Sequence, residues 1–263
     1  MSSDSSPEKI TAIDKALMLL TLVGENGRRP LRLTDIVELS GFSKPTVHRL
    51  LNALRHHGLV ILDESTHKYE LGSKVLVLGA QYRSGLNMES KALPLLRELV
   101  RQAAATVHMG IRDGIHAVYI EKVESDQSIR LASGVGQRAS LHSSSIGKVL
   151  LAHSGDDVFT ALVDHGLAAR TANTIVDPER LRREIADVRQ QGFAVDDQEN
   201  EIGIRCVAAP IRDHRGEVIA SISISGTLTQ VPKQSVNRQV MMLMESAKRI
   251  SAALGYREQR IAG

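Results

Sequence analysis

Apolar side chains recur at intervals of three and four residues between positions 44 and 55, a spacing that predicts an amphipathic helix. One face carries Val47, Leu50, Leu51 and Leu54. The opposite face collects basic and hydrogen-bonding side chains, namely Lys44, Thr46, His48, Arg49, Asn52 and Arg55. Ser43 is a favourable N-cap, and Pro45 falls in the first turn, where its missing N–H costs little. The pattern predicts one packed face and one basic face.

A shorter apolar pattern lies just upstream. Thr34-Asp35 can cap a helix that carries Ile36, Val37 and Leu39. Gly41-Phe42 then separates the two helices, so this stretch is predicted to form a helix-turn-helix. In DNA-binding proteins of this plan the second helix enters the major groove. Residues 44–55 taken alone fit an ordinary amphipathic helix with a solvated charged face equally well.

The residues after Gly58 favour DNA binding. Residues 59–62 and 68–71 flank the polar residues 63–67, which predicts a hairpin, or wing. Helix-turn-helix plus wing is a winged-helix unit. We expect this unit to span residues 10–72.

Helical spacing also marks both flanks of the unit. A first helix, residues 10–23, is predicted to pack against the back of the second helix of the helix-turn-helix, residues 44–55. Its apolar positions are Ile10, Ile13, Leu17 and Leu20. The polar residues 1–9 are expected to be a disordered tail. Residues 73–86 predict a linker helix whose apolar positions have no core of their own, so we expect it to contact a second copy of the chain.

From Thr106 the pattern changes to strict alternation, with Val107, Met109 and Ile111 on one face and Asp113-Gly114 as a hairpin turn. Strands are predicted at residues 106–112, 115–124, 128–133, 204–212 and 217–225. Helices are predicted at residues 73–84, 88–105, 145–152, 156–165, 178–191 and 232–254. Residues 87–257 should therefore form an α+β domain around a mainly antiparallel sheet.

Composition narrows the class of protein. The net charge is only +3, but basic residues outnumber acids between positions 28 and 55. A single cysteine rules out a disulfide framework within the chain and fits a reduced cytoplasm, and no apolar run is long enough to span a bilayer. The absence of tryptophan argues against a binder of single-stranded nucleic acid that works by stacking. His48, His56 and His57 lack ligands at metal-binding spacing, and no cofactor is expected.

A second candidate site lies in the C-terminal half. Alternation puts Ser221, Ser223 and Ser225 on one face of a strand, with Ile222 and Ile224 on the other. This hydroxyl face could line a cavity or be the solvated outer face of a sheet. The helix that begins near Ser145 offers free backbone N–H groups, a suitable site for a carboxylate or a merely capped helix start.

Six motifs in this order resemble those of the IclR family of regulators. They occupy residues 13–17, 44–51, 69–72, 141–148, 203–210 and 221–226. The resemblance covers nearly all of residues 10–255. It implies a winged helix that binds double-stranded operator DNA as a dimer or dimer of dimers, and a GAF-like domain that binds a small effector, commonly a carboxylate or aromatic acid. Pro45 departs from the serine common in the family, so a phosphate contact by that serine would be absent.

The resulting candidate residues form two sets. The DNA-binding set is Lys15, Thr34, Ser43, Lys44, Pro45, Thr46, His48, Arg49, Asn52 and Lys68. By resemblance, the effector meets the backbone N–H groups of Ser145 and Ile146 and the side chains of Asp196, Cys206, Ser223 and Ser225, with Leu131 and Ile204 as an apolar wall. Asp196 should accept a hydrogen bond from a hydroxyl or amine, because a second carboxylate facing it is unfavourable. Ile146 should either narrow the cavity or turn outward.

Two other classes of protein are compatible with parts of the sequence. Cys206 could be the nucleophile of a hydrolase acting on small acids or amides, with His108, His116 or His142 as base. Cys206, however, lies in a strand pattern and not at a helix start, where a thiolate is favoured. The winged helix could instead serve only protein contacts, which its basic face disfavours.

Overall fold

The computed structural model describes residues 10–26, 29–85, 91–125 and 131–257, without the side chains of residues 83–85. The chain divides into two compact units, Met1–Leu86 and Asn87–Gly263. The first unit contains α1 (Ala12–Glu25), β1 (Leu31–Arg32), α2 (Leu33–Ser40), α3 (Lys44–His56), β2 (Val60–Asp63), β3 (Lys68–Leu71) and α4 (Ser73–Gly85). The three strands form an antiparallel sheet in the order β1-β3-β2.

The predicted helix-turn-helix and wing are confirmed. Helix α3 buries the whole apolar face read from the sequence, Val47, Leu50, Leu51 and Leu54, in the core of this unit. Gly41 ends α2 in the left-handed conformation (φ 69°), which glycine adopts without strain. β2 and β3 form the wing. The pairing of β1 with β3 was not predicted, because a strand of two residues has no periodicity of its own.

The predicted packing face of α1 was wrong for three of its four residues. Ile10, Ile13 and Leu17 are 57%, 72% and 54% exposed. Leu20 packs against the core as predicted, beside the buried Leu19 and Val23. Apolar residues surround most of this helix, so two stripes satisfy the helical spacing equally well. Only packing against α2 and α3 selects the stripe that enters the core.

The start of α2 also differs from the prediction. The helix begins at Leu33, and the carboxylate of Asp35 accepts the backbone N–H of Arg32 at 2.9 Å. Thr34 therefore lies inside the first turn and is not the cap. Ser43 does occupy the N-cap of α3, but its hydroxyl lies 2.9 Å from that of Thr46 and caps no backbone N–H.

The second unit is built on a six-stranded antiparallel sheet in the order β6-β5-β4-β9-β8-β7. Its strands are β4 (Thr106–Asp113), β5 (His116–Val123), β6 (Arg138–Ser140), β7 (Ala194–Asp197), β8 (Ile204–Arg212) and β9 (Val218–Thr227). Its helices are α5 (Leu93–Ala103), α6 (Ser145–Ala152), α7 (Asp156–His165), α8 (Pro178–Gln191), a 3₁₀ turn (Lys233–Ser235) and α9 (Val236–Ala253). This architecture confirms the predicted α+β class.

Helices cover both faces of the sheet. α6 packs on the face that carries Ala208, and Ala208 is paired across the sheet with Ser223. α5 and α9 pack against β4, β8 and β9. Ser221, Ser223 and Ser225 are consequently buried, as are Ile222 and Ile224 between them. The serine face is therefore an interior surface and not the solvated outer face of a sheet.

Two strands of the second unit escaped the sequence analysis. β6 and β7 have three and four residues, too few for a clear alternation. The predicted strand at residues 128–133 falls partly outside the described residues, and its described part, Leu131 to Ser133, is not a strand. Residues 88–90 of the predicted helix 88–105 also lie outside them. Among the described residues, no helix combines the length and apolar character required to cross a bilayer.

Candidate functional site

The first candidate surface follows α3 from its N-cap. Ser43, Lys44, Pro45, His48, Arg49 and Asn52 are exposed, and Thr46 is half-buried. The Nδ2 atom of Asn52 lies 3.4 Å from Nδ1 of His48, one helical turn away. No acidic side chain lies in the first turn, and Arg55 and His56 occupy the last. This face is therefore a continuous surface of hydrogen-bond donors and positive charge.

The other three candidate residues of this surface come from neighbouring elements. Nζ of Lys15, on α1, lies 5.4 Å from the ring centroid of Phe42, which brings Lys15 to the turn before α3. Thr34 is exposed on α2. Lys68 begins the second strand of the wing and pairs with Arg32 across the sheet.

The tip of the wing is held by Asp63. Its carboxylate accepts hydrogen bonds from the hydroxyls of Ser65 and Thr66 and from their backbone N–H groups. The hydroxyl of Ser65, followed by that of Thr66, lowers the pKa of Asp63 to about 2. The turn is therefore stabilised by a carboxylate that stays ionised at any ordinary pH.

The second candidate site is a cavity of about 50 Å³ on the serine face of the large sheet. All eight residues expected at an effector line it: Leu131, Ser145, Ile146, Asp196, Ile204, Cys206, Ser223 and Ser225. The strand register brings them together, because Asp196 pairs with Cys206 and Cys206 pairs with Ser225. Residues separated by up to 94 positions in the chain thus face one small space.

Asp196 is the most polar group in this cavity. Its Oδ1 atom accepts the backbone N–H groups of Glu199 at 2.7 Å and Asn200 at 3.2 Å. Within the described chain no group donates a hydrogen bond to Oδ2. Burial raises the pKa of Asp196 to about 7, against the opposing effect of the two N–H groups. The carboxyl group is therefore divided between its two protonation states near neutral pH.

A buried lysine holds the turn that positions Asp196. Lys148, on α6, is fully buried, and its Nζ lies 2.7 Å from Oε1 of Glu199 and 2.7 Å from Oε1 of Glu184. Burial raises the pKa of Glu199, and the charge of Lys148 opposes this shift. The ion pair fixes Glu199, and the backbone N–H of Glu199 fixes Asp196.

The start of α6 forms another wall. The hydroxyl of Ser144 accepts the N–H of Gly147 and donates to the carbonyl of Ser140. The first N–H groups of a helix have no intrahelical partner, which leaves those of Ser145 and Ile146 available to a ligand. A Cβ on Gly147 would overlap the carbonyl oxygen of Ser140, so only glycine allows this close approach.

Ile146 both lines the cavity and packs into the core. Its side chain is buried, and its Cγ2 lies 3.0 Å from the position that a Cβ on Gly110 would occupy. Gly110 thus leaves room on β4 for the larger side chain. Ile146 therefore narrows the cavity and does not turn outward.

Sequence reasoning missed six lining residues: His108, Tyr119, Ser133, Ser144, Asn200 and Glu201. The Nε2 atom of His108 lies 2.8 Å from Oγ of Ser133, and its buried Nδ1 has no hydrogen-bond partner among the residues that the structure describes. Burial and then the charge of Lys122 lower the pKa of His108 to about 4, so the ring is neutral at pH 7. Alternation placed His108 on the polar face of β4, but only the pairing with β9 brings it opposite Ser223.

Cys206 shares the cavity but has none of the features of an activated nucleophile. Burial, and then the charge of Asp196, raise the pKa of its thiol. No histidine forms a hydrogen bond with it among the described residues. These residues also contain no cluster of three or more His, Cys, Asp or Glu side chains able to hold a metal ion.

Comparison with known families now identifies the chain. Residues 12–64 match the IclR helix-turn-helix domain, and residues 80–252 match the bacterial transcriptional regulator IclR C-terminal domain. The chain belongs to the IclR family. It is 36% identical over 248 residues to the HTH-type transcriptional regulator XynR of Escherichia coli, a match that covers 94% of this chain and 98% of the relative.

Solved IclR structures have the same fold. The Thermotoga maritima IclR crystal structure matches with a TM-score of 0.72 and 32% identity, covering 93% of this chain and 98% of that one. An IclR homologue from Microbacterium hydrocarbonoxydans, complexed with 4-hydroxybenzoate, matches with a TM-score of 0.82 and 23% identity, covering 93% and 99%. The protein is an IclR-type DNA-binding transcriptional regulator. The family is one of transcriptional regulators and not of enzymes.

Proposed function

We propose that this IclR regulator binds operator DNA through the surface of α3 and that a small hydroxylated organic acid in the second unit modulates this binding. The observation that carries the effector proposal is the convergence of eight expected residues on one small cavity, which is also lined by His108, whose Nδ1 has no partner among the described residues. In this proposal residues 10–72 bind DNA, residues 73–86 link and dimerise, and residues 87–257 bind the effector. Operator binding implies a cytoplasmic location.

The proposed DNA-binding residues form two groups, one that contacts base edges and one that contacts phosphates. Lys44, Thr46, His48, Arg49 and Asn52 project from the first three turns of α3, where a recognition helix meets base edges. Four further residues lie beside α3, namely Lys15, Thr34, Ser43 and Lys68, and Pro45 in its first turn offers only its backbone. Contacts from such positions to phosphates fix the register of a protein on the duplex. Lys15 and Lys68 supply charge for this purpose.

The cavity favours a particular effector chemistry. A carboxylate fits at the free N–H groups of Ser145 and Ile146, since a helix start attracts negative charge. Oδ2 of Asp196 repels a second carboxylate and attracts a hydroxyl or amine donor. The hydroxyls of Ser223 and Ser225 lie 3.2 Å apart and can donate to or accept from the ligand. An acid that carries a hydroxyl group satisfies all three sites.

The cavity volume limits the size of the effector. About 50 Å³ holds roughly four water molecules, which corresponds to an acid of about three or four carbons. The Microbacterium homologue is complexed with the larger 4-hydroxybenzoate. We therefore propose a smaller acid for this chain.

Exposed apolar side chains support a dimer. Ile10, Ile13, Leu17 and Met18 are exposed on and before α1, and Leu76, Val77, Leu78 and Tyr82 are exposed on α4. Large apolar side chains exposed in groups on a helix are typical of protein interfaces. We propose that a second copy of the chain covers it and that the assembly is a dimer or a dimer of dimers.

Effector control requires coupling between the two sites. We propose that the effector orders the residues around Ser145 and Ser225 and that α4 transmits the change to the spacing of the two DNA-binding units. Such coupling demands that the effector bind the DNA-fitting and non-fitting states with different affinity. Equal effector affinity with and without operator DNA would remove this part of the proposal.

A binding experiment tests the function. Fluorescence anisotropy of a duplex from the protein's own upstream region should show binding that weakens steeply with salt, because counterions are released from the phosphates. A thermal-shift screen of small organic acids should reveal a stabilising ligand, which should then change the anisotropy titration. No binding at low salt, with or without the acids, would overturn the proposal.

A further inference from the structure

Tyr119 enters the effector cavity because of an irregularity in β5. Met109 on β4 pairs with Glu121, but the next residue, Gly110, pairs with Tyr119. Ile120 is therefore an extra residue, a β-bulge. In a regular ladder Gly110 would face Ile120, and Tyr119 would project from the opposite side of the sheet. The bulge turns Tyr119 toward α6, where it packs against the core beneath that helix.

The ring of Tyr119 packs against the ring of His108. Its centroid lies 4.8 Å from that of His108, and His108 is held by Ser133 through the 2.8 Å contact of Nε2. The ring of Tyr119 therefore occupies a defined part of the cavity.

The hydroxyl of Tyr119 has no partner within the described chain. Burial raises the pKa of this phenol, with smaller contributions from Cys206 and Asp196. Asp196 and Cys206 belong to β7 and β8, on the far side of β4 and β9. Tyr119 on β5, Asp196 on β7 and Cys206 on β8 nevertheless line the same cavity.

We propose that Tyr119 determines effector specificity: its ring limits the ligand to an acid of about three or four carbons, and its hydroxyl binds the oxygen next to the carboxylate. This inference rests on the proposed effector function. In this proposal the hydroxyl of an α-hydroxy acid such as lactate pairs with Asp196 and Tyr119, which line the same cavity. The same acid without that hydroxyl loses these hydrogen bonds.

The experiment compares the full-length wild-type chain with Tyr119→Phe and Tyr119→Ala by calorimetric titration. Lactate and propionate differ by one hydroxyl, and benzoate and 4-hydroxybenzoate probe size. The wild type should bind lactate at least about tenfold more tightly than propionate, and Tyr119→Phe should lose about tenfold for lactate with little change for propionate. Tyr119→Ala should bind the aromatic acids that the wild type rejects.

Controls keep the outcomes distinct. Tyr256→Phe makes the same chemical change on a half-buried residue outside the cavity lining and should leave every affinity unchanged. If Tyr119→Ala fails to fold, Tyr119→Leu tests the size limit, and Tyr119→Phe still tests the hydroxyl. If all variants bind the acids as the wild type does, the effector function stands and the role of Tyr119 is wrong. If no acid binds to any of them, both proposals fail.

Discussion

Nζ of Lys148 lies 2.7 Å from Oε1 of Glu199 in the interior of the second unit, and the other carboxylate oxygen of Glu199 is buried with no partner in the described part of the chain. Glu199 is thus held by a single ion pair to a fully buried lysine. The same residue donates its backbone N–H to Asp196. This contact links the stability of the fold to the shape of the cavity.

Replacing Lys148 with methionine should destabilise the protein strongly. The substitution leaves the carboxylate of Glu199 buried without a counter-charge, which costs on the order of 3–5 kcal/mol. Urea denaturation at pH 7 measures this loss in the free energy of unfolding. Lys148→Met combined with Glu199→Gln should recover part of it, because the uncompensated charge is removed.

The exposed pair between Arg138 and Asp113, 3.1 Å apart, provides the matched control. Asp113→Asn breaks an ion pair of similar length in solvent and should change stability by less than about 1 kcal/mol. Equal losses in the free energy of unfolding for Lys148→Met and Asp113→Asn would show that the buried ion pair contributes no more to stability than an exposed one.

Asp196 should make the stability of the protein depend on pH. Its pKa is about 7 in the folded state, above the ordinary value of 3.8. Between these values the folded chain holds the proton more tightly than the unfolded chain does, so stability falls as the pH rises from about 4 through about 7. Asp196→Asn removes this dependence and retains an acceptor for the two N–H groups.

The variant Asp196→Asn should therefore be more stable than the wild type at pH 8, by on the order of 1–4 kcal/mol. The difference should shrink at pH 5, and urea denaturation at both pH values measures it. The exposed Asp164, changed to asparagine, should show no such pH-dependent difference. A constant gap between wild type and Asp196→Asn would contradict the raised pKa.

Arg49→Ala tests the DNA-binding surface. If Arg49 contacts a phosphate, the variant should bind all duplexes more weakly, and the salt slope should fall by about one unit. If it contacts a guanine, specificity at one base pair should relax by about 1–3 kcal/mol. Arg215→Ala, which removes an exposed arginine far along the chain, should change neither quantity.

Gly147→Ala tests the close approach at the start of α6. A Cβ there overlaps the carbonyl of Ser140, so the helix start must shift, at roughly 1–3 kcal/mol of stability. Gly79, in the interior of α4, has no heavy atom within 4 Å of the position that a Cβ would occupy. Gly79→Ala should instead raise stability by about 0.5–1 kcal/mol. Thermal denaturation of both variants gives the comparison.

Local patterns predicted the elements whose two faces differ clearly in polarity. The apolar face of α3, the bounds of α7 and α8, and the alternation of Ser223 with Ile224 were all recognisable, because each is encoded within a few residues. The packed face of α1 was not, since apolar residues surround that helix. β6 and β7 were too short to show a period.

Alternation and the helix start indicated Ser223, Ser225 and Ser145 as possible cavity residues, and the family resemblance supplied the other predicted lining residues. His108 and Tyr119 escaped because their roles depend on partners outside their own segment. His108 meets Ser223, 115 positions later, through the pairing of β4 with β9. Tyr119 enters through a bulge that reverses the face expected from alternation.

The amino-acid sequence by itself determined the winged helix, the α+β class of the second unit and the family, because local periodicity and ordered motifs are written along the chain. Tertiary structure alone decided which stripe of α1 is buried, which glutamates neutralise Lys148 and which side chains share the cavity with Asp196. These features depend on strand register and close packing between distant segments, and such contacts form cooperatively and leave no local period to read.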